Sequence, residues 1–305
     1  MTSDYSSTWG VPAHITGLFQ ILQNEDPLQM GSRGAGFSIE NLVLTKVTCK
    51  ETSNKKPIIT YNENPIDGRV SLEVALKFEK YWKDQGLIIE HSSKLPIQGG
   101  FGTSGAGALG TAFAINELFQ TNKTPIELGQ IAHEIEVICR TGLGDVISQL
   151  QGKAEIRLKP GAPGIGVISK LNWPQDQQVL SVFLGTLSTK DVITNQEQIM
   201  KINSTAEEML HKLESNPTLD LFLALSYEFA SKSNLIFGRM KELVEIVRNE
   251  GFKSSMVMLG ESIFVVDIKE QLVQCQKLIQ KYHPKAKMWI NPLADIGPRI
   301  IKKKL

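Results

Sequence analysis

Five glycines and two hydroxyl side chains crowd into one short segment of the chain. Residues 96–107 read Pro-Ile-Gln-Gly-Gly-Phe-Gly-Thr-Ser-Gly-Ala-Gly. Glycine lets a backbone approach a bulky anion closely, and the free amides at the start of a helix favour negative charge. Thr103 and Ser104 add hydroxyl groups at the same place. The segment therefore predicts a phosphate-binding loop, although a tight turn with close helix packing also selects small residues.

Two common phosphate motifs do not fit this segment. Gly105, Gly107 and Gly110 spell GxGxxG, but a dinucleotide site needs that motif directly after a buried strand, and residues 99–104 stand in front of it. A Walker-type loop needs a lysine after its last glycine, and no GxxxxGK occurs in the sequence. The segment thus indicates a phosphate loop of another design.

Acidic side chains further along have the chemistry that phosphoryl transfer requires. Asp145 lies in a glycine-containing turn and can meet a substrate hydroxyl as general base or orienting acceptor, or it can cap a helix. Glu134 and Glu136 are two residues apart on a predicted helix, so they lie on different faces. Magnesium prefers carboxylate and hydroxyl oxygens, so we predict that Ser104 and Glu136 hold it, with a solvated surface glutamate as the alternative.

Cationic and hydroxyl side chains beside glycines are candidates for holding an anionic substrate. Arg33 lies in Gly-Ser-Arg-Gly-Ala-Gly at residues 31–36, and a planar guanidinium binds a carboxylate bidentately. Arg140, just before the aspartate turn, is the rival carboxylate clamp. Thr16 can hydrogen-bond a substrate hydroxyl, or it can cap its own backbone.

Strands and helices alternate along the chain in the pattern of an α+β protein with antiparallel sheets backed by helices. Strands are predicted at 37–49 (with a slip or bulge), 57–61, 87–90, 154–158, 179–185, 255–259, 262–267 and 286–290. Helices are predicted at 69–83, 103–119, 125–140 (opened by a capping box at Thr124), just beyond 145, and at 195–213, 219–231, 238–250 and 270–282. The Pro- and Gly-rich run 159–166 predicts a boundary between lobes 1–168 and 169–305.

Bulk composition narrows the function classes. Thirty-three basic residues against 32 acidic ones give a net charge of +1, so no overall field attracts nucleic acid or an anionic membrane. Lys302–Lys304 are predicted to be a solvated tail. Cys49, Cys139 and Cys275 lack the CxxC spacing of zinc or redox sites. Without a signal-like or membrane-spanning apolar run, we expect a soluble, cytoplasmic protein.

Several motifs carry a family resemblance. The segment 96–106 resembles the PxxxGLGSSAA motif of the GHMP kinases, with Gly105 in place of an alanine and Phe101 in place of leucine. Segments 11–17 (Val-Pro-Ala-His-Ile-Thr-Gly), 26–36 and 140–149 look like the archaeal pantoate kinase family, and 258–264 does so more faintly. The sequence departs from the pattern at Ala13, where the family usually has glycine, and in the third GHMP motif, which is not glycine-rich here.

The resemblance implies a two-lobed GHMP kinase fold, with mixed sheet and helices in the first lobe and a ferredoxin-like α/β sandwich in the second. It implies transfer of the γ-phosphoryl group of MgATP to the 4-hydroxyl of pantoate in coenzyme A biosynthesis. The alternatives are a GHMP kinase for another small alcohol (mevalonate, shikimate or homoserine) and a non-catalytic nucleotide-binding sensor. A homodimer is implied, with no nucleic-acid or membrane partner.

The resemblance also assigns roles to residues. Asp145 and His14 would be catalytic, although a lone histidine is commonly a structural hydrogen-bonder, and His14 stands where many GHMP kinases carry lysine. Ser104 and Glu136 would hold Mg²⁺. The acceptor would be bound by His14, Thr16, Ser32, Arg33, Arg140 and Asp145. The phosphates of ATP would be bound by Pro96, Gly99, Gly100, Phe101, Gly102, Thr103, Ser104, Gly105, Ala106 and Gly107.

Overall fold

The computed structural model describes residues 5–50, 56–186 and 195–304, which form two sheets covered by helices. The first sheet has eight strands, namely Tyr5–Leu22 (β1), Gly31–Lys50 (β2), Ile58–Tyr61 (β3), Asn64–Pro65 (β4), Gly86–Ser92 (β5), Ala154–Lys159 (β6), Val167–Lys170 (β7) and Arg299–Lys304 (β12). The second has four, namely Gln177–Gly185 (β8), Ser254–Met256 (β9), Glu261–Ile268 (β10) and Lys287–Asn291 (β11).

Nine helices occur in the described part of the chain. They are Arg69–Leu76 (α1), Glu79–Trp82 (α2), Thr103–Phe119 (α3), Pro125–Cys139 (α4), Asp145–Gln151 (α5), Gln196–Ser215 (α6), Leu219–Lys232 (α7), Gly238–Asn249 (α8) and Lys269–Tyr282 (α9). None of them is long and apolar enough to cross a membrane.

The first sheet is built on the long hairpin of β1 and β2. Its strand order is β12-β1-β2-β5-β3-β4, and β6 pairs with the opposite end of β2 and with β7. The pairs are antiparallel except for β3 with β5. Pro12 pairs with Leu42 but Ala13 pairs with Ile39, so β2 bulges at the two residues between. The predicted bulge is confirmed, and it lies opposite Pro12 and Ala13, next to His14 on β1.

The second sheet has the order β11-β8-β10-β9, and all its pairs are antiparallel. Helices α6 to α8 connect β8 to β9, and α9 connects β10 to β11. This is the ferredoxin-like arrangement of two interleaved strand–helix–strand units with two extra helices. The predicted α+β fold with a ferredoxin-like second lobe is confirmed.

Most predicted elements are present, and the differences have local causes. The predicted helix 69–83 is broken into α1 and α2 around Lys77 and Phe78. The capping box of α4 is present, with Thr124 and Glu127 bonding to each other's backbone amides. The prediction of a solvated tail at Lys302–Lys304 is wrong, because these residues pair with β1 as an edge strand while their side chains stay exposed. The division at residue 168 stays a prediction.

An apolar core joins the two sheets. Phe37 of β2 is fully buried and contacts the rings of Trp173, Phe222 and Phe264, which come from the segment before β8, from α7 and from β10. We call this cluster the inter-lobe core. A second core packs α1 to α4 against the other face and end of the first sheet.

Helix α3 lies deep in the second core, and a buried histidine supports it. The ring of His91 lies beneath Gly107, and its two nitrogens bond to the hydroxyls of Thr45 (2.9 Å) and Ser71 (2.8 Å). Burial lowers the pKa of His91 to about 4. The ring is therefore neutral at pH 7. Its partners agree with this, because both are hydroxyl groups and no carboxylate faces the ring among the described contacts.

We predict that acid weakens the protein through His91. Its pKa lies below the ordinary 6.5, so the stabilisation is complete above pH 6.5 and is lost as the pH falls toward 4. The gap between 6.5 and about 4 is worth about 3 kcal/mol at ~1.36 kcal/mol per pH unit. His91→Asn should abolish that part of the loss between pH 7 and pH 4, measured by urea unfolding.

The matched control is His211→Asn, which alters an exposed histidine on α6. An acid dependence that is the same in His91→Asn and in the unaltered protein would contradict the prediction.

Candidate active site

A cavity of about 260 Å³ lies where the glycine segment, the turn before α5 and the second lobe meet. Its walls combine main-chain amides, two guanidinium groups, one carboxylate and apolar side chains. It is lined by Thr16, Phe19, Ser32, Gln98, Gly100, Phe101, Gly102, Thr103, Ser104, Cys139, Arg140, Thr141, Gly142, Leu143, Gly144, Asp145, Arg157, Met258 and Leu259.

The N-terminus of α3 opens into this cavity without a side-chain cap. Gly102 is the N-cap residue in the left-handed region, with φ of 62°, and no side chain bonds to the first turn. The first helical bond runs from the amide of Ala106 to the carbonyl of Gly102. The amides of residues 103–105 therefore have no helical acceptor and are available to an anion.

Residues 257–262 of the second lobe pack against the glycine segment. A Cβ on Gly260 would lie 2.1 Å from the carbonyl oxygen of Gly99, and one on Gly100 would lie 2.8 Å from Val257. The hydroxyl of Ser262 donates to the carbonyl of Gly99 at 2.8 Å. The contact requires glycine on both sides, and it places the family-like segment 258–264 against the glycine segment 96–107.

Glu136 faces the start of α3 and Glu134 does not. The hydroxyls of Ser104 and Thr141 donate to Oε1 of Glu136 at 2.5 and 2.7 Å, while Oε2 is buried without a hydrogen-bond partner among the described residues. Burial raises the pKa of Glu136 to about 7, and the charge of Asp145 adds to this, while the two hydroxyl bonds oppose it. Glu134 pairs with Lys77 at 2.9 Å on the outer face of α4.

Asp145 presents its carboxylate to the cavity. It is the first residue of α5, and the N-cap position belongs to Gly144, so the capping role that the sequence left open is not the one observed. Its side chain is 27% exposed, which makes it accessible to a bound molecule. Oδ1 bonds to Nδ1 of His14 at 2.8 Å.

His14 lies behind Asp145 and does not line the cavity. Its ring is fully buried between Asp145 and Glu155, with Nε2 3.0 Å from Oε1 of Glu155. Its amide donates to the carbonyl of Phe101, which ties β1 to the glycine segment. Burial by itself lowers the pKa of His14, but the charges and hydrogen bonds of Glu155 and Asp145 outweigh it and raise the pKa above 6.5.

Arg157, which was not singled out from the sequence, also lines the cavity. Its guanidinium is 2% exposed; Nη1 donates to Glu155 at 2.6 Å and to Ser148 at 3.1 Å. Nη2 reaches Thr16 at 3.3 Å, and Nε has no partner among the described residues. The sequence signal was available: residues 155 and 157 are opposite charges on one face of an otherwise apolar predicted strand.

The two arginines named from the sequence lie in different places. Ser32 lines the cavity, so the next residue of β2, Arg33, points to the opposite face. There Arg33 bonds to Glu214 of α6 at 2.6 Å and to Gln20 at 3.3 Å. Arg140 ends α4 in the left-handed region, is exposed at the cavity, and has no side-chain partner in the described structure.

The remaining loop residues that were predicted to bind phosphate do not line the cavity. They are Pro96, Gly99, Gly105, Ala106 and Gly107. Gly105 has a packing reason, since a Cβ there would lie 2.8 Å from Oε1 of Gln149. The amide nitrogen of Gln149 donates to the carbonyl of Gly102 at 2.8 Å. Gln149 therefore fixes the N-cap of α3 from a position that the sequence analysis left unassigned.

The sequence is similar to a kinase family model and to known pantoate kinases. A model of the GHMP kinases N-terminal domain matches residues 69–153. The chain is 34% identical over 278 residues to a pantoate kinase of Thermococcus kodakarensis, covering 88% of this chain and 90% of that protein. It is 36% identical over 269 residues to a pantoate kinase of Methanocaldococcus jannaschii, covering 88% and 96%.

Solved structures agree with these sequence matches. A phosphotransferase related to the CoA biosynthesis pathway is 30% identical, with a TM-score of 0.88 and coverage of 97% of this chain and 98% of that one. A homoserine kinase from Cytophaga hutchinsonii is 18% identical, with a TM-score of 0.70 and coverage of 99% and 98%, and it shares the fold.

We predict that Gly105 and Gln149 are energetically coupled. Gly105→Ala should destabilise the protein by about 1–3 kcal/mol, because the methyl group displaces the Gln149 amide from the N-cap of α3. In a Gln149→Ala background the same change should stabilise the protein by up to about 1 kcal/mol, because alanine is the better helix former. Urea unfolding of the four proteins measures this, and an equal cost of Gly105→Ala in both backgrounds would refute it.

Proposed function

Because this chain belongs to the pantoate kinase family of the GHMP kinases, we propose that it transfers the γ-phosphoryl group of ATP to the 4-hydroxyl of pantoate. One observation carries this proposal beyond the family: a single cavity brings together the uncapped N-terminus of α3, the carboxylate of Asp145 and the guanidinium of Arg157. These are the three groups that a phosphate donor, a hydroxyl acceptor and a carboxylate require.

Arg157 is the residue that we propose to bind the carboxylate of pantoate. Its Nη1 is taken by Glu155 and Ser148, whereas Nε has no partner and Nη2 has one contact of 3.3 Å. The edge formed by Nε and Nη2 matches the two oxygens of a carboxylate. Ser32 and Thr16, which line the same wall, supply hydroxyl groups for the 2-hydroxyl of the acceptor.

Apolar side chains that line the cavity suit the methyl groups of pantoate. Pantoate carries two methyl groups on the carbon between its carboxylate end and its 4-hydroxymethyl end. Phe19, Leu143 and Met258 line the cavity and are buried or nearly so. Burying methyl groups against such side chains is favourable by ~0.8 kcal/mol for each group of that size.

Asp145 is placed to receive the 4-hydroxyl group. Its Oδ1 is held by His14, which leaves Oδ2 for the acceptor proton. The acceptor oxygen forms the new bond to the γ-phosphorus as the bond from that phosphorus to the β-bridging oxygen breaks. The hydroxyl proton passes to Asp145, and ADP leaves with the electron pair of the broken bond.

The phosphates of ATP are proposed to lie against the amides at the start of α3, from Gly100 to Gly105. Next to them, the hydroxyl of Ser104 and the carboxylate of Glu136 form an oxygen-donor pair, and the unpartnered Oε2 of Glu136 fits a divalent cation. A bound Mg²⁺ would offset negative charge on the phosphate oxygens. No cluster of three or more metal-binding side chains occurs in the described residues, in keeping with an ion that also binds phosphates and water.

We propose that Arg140 offsets the negative charge on the phosphoryl group during its transfer. His14, which stands where many GHMP kinases carry lysine, is buried behind Asp145. Among the described residues that line the cavity, the cations are Arg140 and Arg157. The hydroxyls of Thr141, next to Arg140, and of Ser104 both donate to Glu136. Arg140 would therefore lie close to the proposed phosphate site at the start of α3.

Acceptor specificity tests the proposed function directly. Purified protein with MgATP should release ADP with pantoate, and mevalonate, shikimate and homoserine should give little more than buffer. Asp145→Asn should lower kcat with pantoate by at least 100-fold, because the proton acceptor is lost. Turnover with one of the other alcohols but not with pantoate would refute the substrate assignment, and ATP binding without any turnover would indicate the nucleotide-sensor alternative.

We predict that the two cavity arginines separate in steady-state kinetics. Arg157→Ala should raise KM for pantoate by about 10–100-fold, because a charged hydrogen-bonding partner is worth ~1.5–3 kcal/mol. Arg140→Ala should lower kcat by a similar factor with a smaller change in KM for pantoate. Arg33→Ala is the control, since its side chain faces α6, and it should leave both constants within about threefold. Equal effects of Arg140→Ala and Arg157→Ala on KM would contradict the assignment.

We also propose a homodimer, which the family resemblance implied, and a cytoplasmic location, which the composition and cysteine pattern implied. Cys49, Cys139 and Cys275 are free thiols, as expected in a reducing compartment. Light scattering of the purified protein tests the oligomeric state.

A further inference from the structure

We propose that Glu155 is a positioning residue for the phosphoryl transfer, acting through His14 to hold the Asp145 carboxylate toward the acceptor hydroxyl. The proposal rests on the proposed function, because it concerns the same site. Glu155 is fully buried and does not line the cavity, so a molecule bound in the cavity would not contact it.

Four charged side chains form one continuous hydrogen-bonded row. Asp145 bonds to Nδ1 of His14 at 2.8 Å, Nε2 of His14 lies 3.0 Å from Glu155, and Glu155 receives Nη1 of Arg157 at 2.6 Å. The row starts at the proposed proton acceptor and ends at the proposed carboxylate clamp. Both ends of the acceptor molecule would therefore contact the same row.

The geometry at His14 specifies its charge. Ionised carboxylates only accept hydrogen bonds, so two of them facing the two ring nitrogens require two N–H donors. The ring is then an imidazolium, and the row holds two positive and two negative charges. Buried charges are tolerated when each lies beside an opposite one, and here every member does.

Three donors hold Oε1 of Glu155, while its Oε2 is buried without a hydrogen-bond partner among the described residues. Its Oε1 accepts from His14, from Nη1 of Arg157 and from the hydroxyl of Ser148 at 2.8 Å. Gly36 of β2 leaves room for the imidazole, since a Cβ there would lie 2.7 Å from Nε2. The ring orientation is thus set from the Glu155 side, and Asp145 receives the remaining N–H in a fixed direction.

The groups that face His14 come from two elements. Asp145 of α5 and Glu155 of β6 contact the ring, and Arg157 of β6 lies beyond Glu155. Burial lowers the pKa of His14, and the two carboxylates raise it above the ordinary value. Activity that depends on the imidazolium is therefore lost as the pH rises through the pKa of His14. Removing the charge of Glu155 should move this loss to lower pH.

The test is a double-variant cycle with pH–rate profiles. Glu155→Gln should lower kcat for pantoate by about 10–100-fold and move the alkaline limb of the profile at least one pH unit lower, with KM for ATP within about threefold. His14→Gln should lower kcat and remove that limb. The variant with both changes should be no slower than His14→Gln alone, because Glu155 acts through His14.

Several outcomes would overturn the proposal. An unchanged kcat and alkaline limb in Glu155→Gln would do so, and so would an additive loss in the double variant, which would indicate a general structural effect. Glu90→Gln is the matched control, because it alters an exposed carboxylate on β5, and it should leave the profile unchanged.

A measurement on the unaltered protein covers the case in which Glu155→Gln does not fold. The ¹⁵N resonances of His14 at pH 7.5 should be those of a ring protonated at both nitrogens, and a neutral ring would refute the proposal. The failure of the proposed function is distinguishable, because it shows as no turnover of pantoate by the unaltered protein. The failure of this inference shows as normal turnover with an additive cycle or a neutral ring.

Discussion

The site depends on one constraint, which is that charges taken out of water must lie beside opposite charges. His14, Glu155 and Arg157 are almost completely buried, and Asp145 is partly so. Meeting this constraint fixes β1, β6 and α5 relative to one another, because each supplies a member of the row. The bulge between β1 and β2 lies next to this row, because the register shifts between Pro12 and Ala13, the residue before His14. The geometry of this charged row is therefore set by electrostatics in the protein core.

Local sequence signals predicted most of the fold. Helix α3 follows its glycines and α4 follows its capping box, and both begin at the predicted residues. Strand β1 was not predicted, because Gly10, Pro12 and Gly17 interrupt its alternation and because burial on both faces removes the period-two pattern. Strand β12 was read as a solvated tail, because edge strands with lysine side chains have the composition of a tail.

Residue types predicted several of the side chains that line the cavity, but they did not predict side-chain direction. The glycines and hydroxyl groups of segment 96–107 predict a phosphate loop from their types alone, and this role stays a prediction. Ser32 and Arg33 are neighbours in sequence, but strand alternation sends one to the cavity and the other to α6, so the register of β2 decides between them. Glu155 and Arg157 were missed because their importance arises from contacts with residues over a hundred positions away.

Because Gly260 packs against Gly99 and the inter-lobe core lies around Phe37, the position of the amides at the start of α3 depends on both lobes. A fragment ending at residue 168 would expose Phe37 and would lack the residues that pack against the glycine segment 96–107. The two lobes should accordingly unfold together in one cooperative transition. A ligand bound in the cavity, which residues of both lobes line, would then protect both lobes from proteolysis.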